Sequence, residues 1–314
     1  MKKSLILASL VALASLTAAG QEPQGAGAQP KPVCTTDYNP VEILKCGREA
    51  AKSFNPPRTA DGKPDFSGYW GGSQVPHEDL HAHPRTPDDN GGPSALVDPP
   101  NGIVPMQPWA EEKRAENRKR YIDHNAQCFV SGVPRHLYMG AYQFIQTPTR
   151  LVMLSEEANA YRVIYLDDPS TALGASRPPL GSTITLWQGD SRGRWEGNTL
   201  VVVTKNQNGN PWLDQQGRFI TDAATVTERF TMFEANGILY EITIDDPLVY
   251  TRPFTMALGL RKNTQPGREI WEEACYEGEA NTQYLRNLGY RTYPGFTAAQ
   301  ARAAKEAYER RQGR

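Results

Sequence analysis

The chain has no surplus of either charge: 34 Lys and Arg stand against 35 Asp and Glu, a net charge of −1. Nucleic-acid binding draws on a basic excess that neutralises phosphates, so this balance argues against a nucleic-acid partner. Beyond residue 20 no stretch approaches the run of about 18 apolar residues that a membrane-crossing helix needs. Cysteine is scarce, with four in 314 residues. None forms a C-x-x-C pair, which speaks against a zinc ribbon or a dithiol redox centre. There is no Walker loop and no dinucleotide fingerprint, so no cofactor is expected. A 3.6-residue apolar period is also missing from the long middle of the chain, which excludes a helical bundle there.

What is present starts with turns. The 27 Gly and 25 Pro imply many turns and long irregular connections. Residues 1–20 read as an export signal: Lys2 and Lys3 precede an apolar run from Leu5 to Leu16, and small residues follow. Cleavage is expected after Ala19 or Gly20. The processed chain is then periplasmic or secreted and has no membrane span. In that setting Cys34, Cys46, Cys128 and Cys275 are expected in two disulfides, with three connectivities open. Loop length favours Cys34–Cys46 and Cys128–Cys275. The expected organisation is a signal over 1–20, a linker and cysteine segment over 21–54, one β-rich domain over 55–290 and a C-terminal helix over 291–314.

The fold class rests on the stretch from Gly189 to Thr204, GDSRGRWEGNTLVVVT. It reads as a meander, in which the turn Gly189–Gly193 leads to a short strand at Trp195. A second turn, Glu196–Asn198, and a strand over Leu200–Val203 follow. Further strands are expected at 65–72, 142–147, 151–154, 160–166, 183–187, 225–233, 238–245, 255–261 and 269–273. In the run 160–166, Tyr161, Val163 and Tyr165 share one face. One helical turn fits 41–44, a peripheral helix fits 107–123, and a last helix starts near Thr297 with a Thr297/Gln300 capping box. The fold class is therefore all-β and mainly antiparallel, a barrel or sandwich that is lipocalin-like at most by analogy, with one peripheral helix and a C-terminal helix.

Alternation also assigns chemistry. Over 226–232, Glu228 shares a face with Val226, Phe230 and Met232, while Arg229 lies opposite. A lone acid on a buried apolar face is desolvated and available as a general acid or base, unless a buried Arg such as Arg162, Arg194 or Arg252 satisfies it. Tyr240, Arg229 or Arg135 would then stabilise developing negative charge. Loop carboxylates Asp190, Asp214 and Asp222, with Trp187, Trp195 and Trp212, suit an aromatic or carbohydrate ligand. His77, His81 and His83, with Glu78 or Asp79 nearby, have the spacing of a weak metal site. The acidic pairs Asp167-Asp168 and Asp245-Asp246 precede prolines and read first as turn chemistry. The core serines lack an adjacent His, and a hydrolase triad would have to draw on His124 or His136.

In combination these motifs resemble a family of exported bacterial proteins. The matching segments are Asp61–Trp70 (DGKPDFSGYW), Gly132–Arg135, Gly189–Thr204, Glu228-Arg229-Phe230, Ile244–Pro253 and Cys275–Gly278. The resemblance implies export and one shared domain, and it transfers no catalytic residue. It also implies histidines near Thr221 and at Tyr276, which this chain lacks. The functional expectation is an exported enzyme using carboxylate acid/base chemistry on a small apolar, aromatic or glycosidic compound. The alternatives are a non-catalytic β-barrel that binds such a compound and a cell-envelope interaction module.

Overall fold

Strands dominate the computed structural model, whose description covers residues 32–35, 38–138, 140–166, 178–275 and 280–313. In chain order they are β1 (Gly68–Gly71), β2 (Leu96–Asp98), β3 (Tyr121–Ile122), β4 (Ala141–Thr147), β5 (Arg150–Ser155) and β6 (Tyr161–Leu166). Then come β7 (Asp190–Glu196), β8 (Thr199–Lys205), β9 (Thr225–Glu234), β10 (Gly237–Asp245), β11 (Phe254–Asn263) and β12 (Arg291–Thr292). The helices are α1 (Pro40–Ala51), α2 (Val75–Glu78), α3 (Pro108–Arg120), α4 (Ala280–Asn287) and α5 (Ala298–Arg311).

Nine strands close into a barrel in the order β1-β4-β5-β6-β7-β8-β9-β10-β11, with β11 returning to β1 from Tyr69–Asn263 to Gly71–Arg261. Closure leaves no unpaired edge in the ring. Every junction is antiparallel except β6–β7, which is parallel. The short β2 pairs with the first part of β11, and β3 and β12 form a separate parallel pair. The expected all-β barrel with peripheral and C-terminal helices is therefore the observed one.

Side chains fill the interior. Val226, Glu228, Phe230 and Met232 alternate inward along β9, and Ile238, Tyr240, Ile242 and Ile244 along β10. Trp70, Tyr142 and Phe144 belong to the same apolar core. The opposite face of β9 and β10 is also covered in part. Phe233 and Leu239 pack with Ile43 of α1 and with Cys34 in a second, smaller cluster. This explains why Leu239, on what reads as the solvent face, is buried.

Several sequence expectations need correction. The segment Gly189–Gly193 is not a turn, because β7 runs unbroken from Asp190 to Glu196 and only Gly197-Asn198 turns. Gly193 is there for space: a Cβ would sit 2.8 Å from Leu166 and 3.0 Å from Ile164 on the neighbouring strand. Residues 183–187 form no strand and make a single bridge, Leu186 to Gln207. Residues 269–273 are likewise irregular. The single turn at 41–44 extends to a helix of 12 residues, α1, capped by Asn39 with Pro40 at its first position. In β6 the face bearing Tyr161, Val163 and Tyr165 points outward, and Arg162, Ile164 and Leu166 point in. The helix expected over 107–123 is α3, started by Pro108, and the Thr297/Gln300 capping box opens α5.

Two disulfides form, Cys34–Cys46 and Cys128–Cys275, with sequence separations of 12 and 147. A crosslink stabilises chiefly by restricting the unfolded chain, and more so for longer loops. Loop-closure entropy assigns about 3 kcal/mol to the short bridge and about 5 kcal/mol to the long one. Chemical denaturation should therefore show a larger loss for the Cys128→Ala/Cys275→Ala pair than for Cys34→Ala/Cys46→Ala. The reverse order would mean that strain or residual structure, not loop entropy, sets these values.

Candidate functional site

The interior acid foreseen on β9 has found a partner. Glu228 is fully buried, and Arg162 reaches both of its oxygens, with Nη1 2.8 Å from Oε1 and Nη2 on Oε2. The Tyr240 hydroxyl donates to Oε1 at 2.6 Å, and Thr204 lies 3.4 Å from Oε2. The guanidinium also donates through Nε to the Ser191 hydroxyl at 3.0 Å and through Nη2 to Thr204 at 2.8 Å. Register explains the assembly: Glu228 lies across from Val202 on β8 and from Ile242 on β10. Burial, then the Glu228 charge, push the Tyr240 phenol far above its ordinary range. His136 is buried nearby, and among the described residues neither ring nitrogen makes a well-formed hydrogen bond. Burial, then Arg162, hold it well below the usual imidazole range.

A second polar group gathers around α2 and its following loop. His77 accepts from Arg135 Nε at 3.1 Å, and Arg135 Nη1 pairs with Asp123 at 2.7 Å. His81 lies 2.7 Å from Arg218, which also pairs with Asp79 at 2.6 Å and with Asp214. His83 stands apart from both, 2.9 Å from Asp89 and 3.8 Å from Glu78. The three histidines therefore do not converge on one ion, which corrects the expectation from their spacing.

Two catalytic spacings that sequence reasoning missed are present in the chain, and the geometry accounts for both. His77-Glu78-Asp79-Leu80-His81 satisfies H-E-x-x-H, which on a helix turns two imidazoles to one face. Here α2 ends at Glu78 and Asp79 is extended (φ −152°, ψ 135°), so the two rings go to different arginines. Gly189-Asp190-Ser191-Arg192-Gly193 satisfies G-x-S-x-G, whose chemistry needs an exposed serine on a strand-to-helix elbow. Ser191 instead sits within β7, buried and bonded to Arg162.

The remaining expected residues scatter. Arg229, on the outer face, pairs with Glu196 at 2.9 Å and is 40% exposed, so it cannot assist Glu228. Asp190 accepts from Leu180 N and Arg192, and Asp222 accepts from Ala298 N at the start of α5. Trp195 stacks on Phe66, with centroids 5.5 Å apart. Asp246 accepts from Thr221 N at 2.7 Å and anchors its own turn, as turn chemistry requires. Asp167, Asp168 and Tyr276 lie outside the described residues.

Trp187 and Trp212 do come near one another through His124 and Tyr293. Trp187 stacks on Phe129 and meets His124 edge-on, His124 meets Tyr293, and Tyr293 meets Trp212. Beside this group opens a cleft of about 320 Å³ lined by Arg118, Tyr121, Asp123, Trp212 and Tyr290. The Trp212 indole N–H is buried, and among the described residues it meets no acceptor. Another cleft of about 320 Å³ lies outside the barrel wall between α1 and β11, with Tyr38 and Arg261 on its sides. No protein-family model matches the chain, and no curated protein matches it.

Four histidines have lowered pKa values: His77, at about 2, and His81, His124 and His136. Burial leads in each case, with Arg135, Arg218 and Arg162 adding to it at His77, His81 and His136. In the native state these rings stay neutral where the unfolded chain takes up protons, at about pH 6.5. The unfolded state then binds more protons, so the stability present above about pH 6.5 is lost as pH falls. The raised carboxyls of Glu157 and Asp246 act oppositely, but nearer the carboxylate range. Between pH 6 and 5, His77 alone should contribute a slope of about 1.4 kcal/mol per unit. Urea denaturation of His77→Gln should be flatter by that amount, and an unchanged slope would show His77 protonated in the native state.

Proposed function

We propose that this is an exported protein that binds a small molecule without converting it, in the cleft beside Trp212 and Asp123. The observation that carries the reading is the cleft itself, about 320 Å³, which sets the rings of Tyr121, Trp212 and Tyr290 beside the Asp123 carboxylate. On the cleft wall, Asp123 is held by Arg135 at 2.7 Å through Oδ2 and accepts from Asn125 N at 3.2 Å through Oδ1. A flat or ring-shaped compound carrying a hydroxyl would lie against the rings and donate to the carboxylate. Tyr121 and Tyr290 supply apolar faces for it. Aromatic compounds and sugars both fit that description.

The catalytic reading centred on Glu228 has less in its favour. General acid/base work requires a substrate within hydrogen-bond reach. Glu228 is fully buried, with both oxygens engaged by Arg162. Export is supported by the charged and apolar pattern of residues 1–20, by the family resemblance and by the two disulfides, which persist in oxidising compartments. Among the described residues no helix is long and apolar enough to cross a membrane.

Isothermal titration with a panel of phenols, nucleosides and monosaccharides tests the binding reading. One class should bind with one-to-one stoichiometry. Trp212→Ala and Asp123→Asn should each weaken that binding about tenfold or more, a loss of about 1.4 kcal/mol. A ligand whose affinity both substitutions leave untouched would move the site elsewhere. Turnover of the bound compound would restore the enzyme reading.

A further inference from the structure

The loop that follows α2 holds a group that neither the barrel nor the cleft uses. Glu78, His83 and Asp89 each direct one ligand atom to a common point, and these atoms lie within 4.8 Å of one another. His83 and Glu78 have side chains only 10% exposed, and Asp89 is 24% exposed.

The imidazole fixes the argument. His83 Nδ1 lies 2.8 Å from the backbone carbonyl of His81. A carbonyl oxygen only accepts, so Nδ1 carries the hydrogen, and the neutral ring presents a bare lone pair at Nε2. That Nε2 is buried, and among the described residues no donor reaches it. It faces Asp89 Oδ1 at 2.9 Å and Glu78 Oε2 at 3.8 Å, both of which are also acceptors. Three electron-rich atoms turned toward one another repel unless something positive stands between them. The occupant is either a proton on Nε2 or a metal cation shared by all three.

The spacing fits a metal. Zinc holds nitrogen and carboxylate oxygen at about 2.1 Å, so ligand atoms around it lie about 3.0 Å apart at right angles and about 3.4 Å apart in a tetrahedron. The observed 2.9 and 3.8 Å bracket those values. The surroundings resemble the outer layer of a metal centre, in which the ligating His donates its other N–H to a carbonyl and the carboxylates are hydrogen-bonded in turn. Asn90 binds Glu78 through its backbone N–H at 3.0 Å and its side-chain amide at 2.8 Å, and Gly91 N donates to Asp89 at 2.7 Å. The loop ends are tied by the His83–Gly92 bridge. Gly91 takes φ +62°, and a Cβ there would meet the Arg85 backbone at 2.3 Å, so this close path admits only glycine.

We propose that Glu78, His83 and Asp89 form a binding site for one divalent transition-metal ion of the zinc type, which clamps the 83–92 loop to α2. Three protein ligands leave at least one position for water. The site is separate from the Trp212 cleft and does not depend on the proposed ligand.

The test uses the full chain stripped with a chelator, dialysed, and titrated with Zn²⁺ alone, with bound metal counted by elemental analysis. The expected result is one Zn²⁺ per chain and a raised melting temperature. His83→Ala and Asp89→Asn should each weaken binding tenfold or more, whereas Asp88→Asn, on the same loop, should leave it unchanged. Co²⁺ in place of Zn²⁺ should give a visible spectrum that His83→Ala alters, a readout that a purely structural loss would not imitate. If a variant fails to fold, the NMR signal of the His83 ring in the unaltered chain decides the matter by shifting, or not, with Zn²⁺. Absence of stoichiometric Zn²⁺ overturns the proposal and leaves a protonated His83 between two carboxylates. So does binding that survives both His83→Ala and Asp89→Asn.

Discussion

Placing a guanidinium and a carboxylate inside an apolar barrel costs several kcal/mol of desolvation for each group. The Arg162–Glu228 contact offsets that cost only because it is complete. Both carboxylate oxygens are met, and Nε and Nη2 also reach Ser191 and Thr204. Tyr240 closes the network from β10. These five residues stand on β6, β7, β8, β9 and β10, five successive staves of the barrel. A one-residue slip in any of them would turn its polar side chain to the wrong face and leave a buried charge or hydroxyl unpaired. The network thus fixes register where apolar packing alone would tolerate alternatives, and it joins the parallel β6–β7 junction to the antiparallel sheet.

The same network limits the chemistry inside. A barrel of about this strand number has room for its side chains or for one small ligand. Here Trp70, Tyr142, Phe144 and Phe230 are buried in one core, and the ion pair is as fully buried. The features that invite ligands lie outside it: the Trp212 cleft and the His83 group. Both depend on segments between strands, where a rigid scaffold presents less regular chain.

Much of the barrel was legible because β9 and β10 alternate cleanly, and the lone Glu228 on their apolar face stood out for that reason. Its partner is among the three arginines that the sequence offers, Arg162, Arg194 and Arg252, with nothing there to choose between them. β6 carries its aromatic and branched residues, Tyr161, Val163 and Tyr165, on the outside, so its own pattern does not single out Arg162. Gly189–Gly193 looked like a turn because glycine, aspartate and serine usually make one. The glycine was serving close strand approach instead. Helix α1 was shortened because Lys45, Gly47 and Arg48 dilute its apolar stripe, although Asn39-Pro40 already carried a start signal. For the His segment the deciding fact was where α2 stops. Sequence spacing cannot supply that, and the metal group that results draws Asp89 from a loop no period describes.

A double-mutant cycle on the interior pair tests most directly the claim that Glu228 serves architecture. Glu228→Gln and Arg162→Met should each cost about 3–5 kcal/mol in chemical denaturation, because each strands a buried polar partner. The double variant should recover a large part of the summed loss, giving a coupling of more than about 2 kcal/mol. Additive losses, or a Glu228→Gln variant as stable as the parent, would contradict this account and return Glu228 to the search for a catalytic acid.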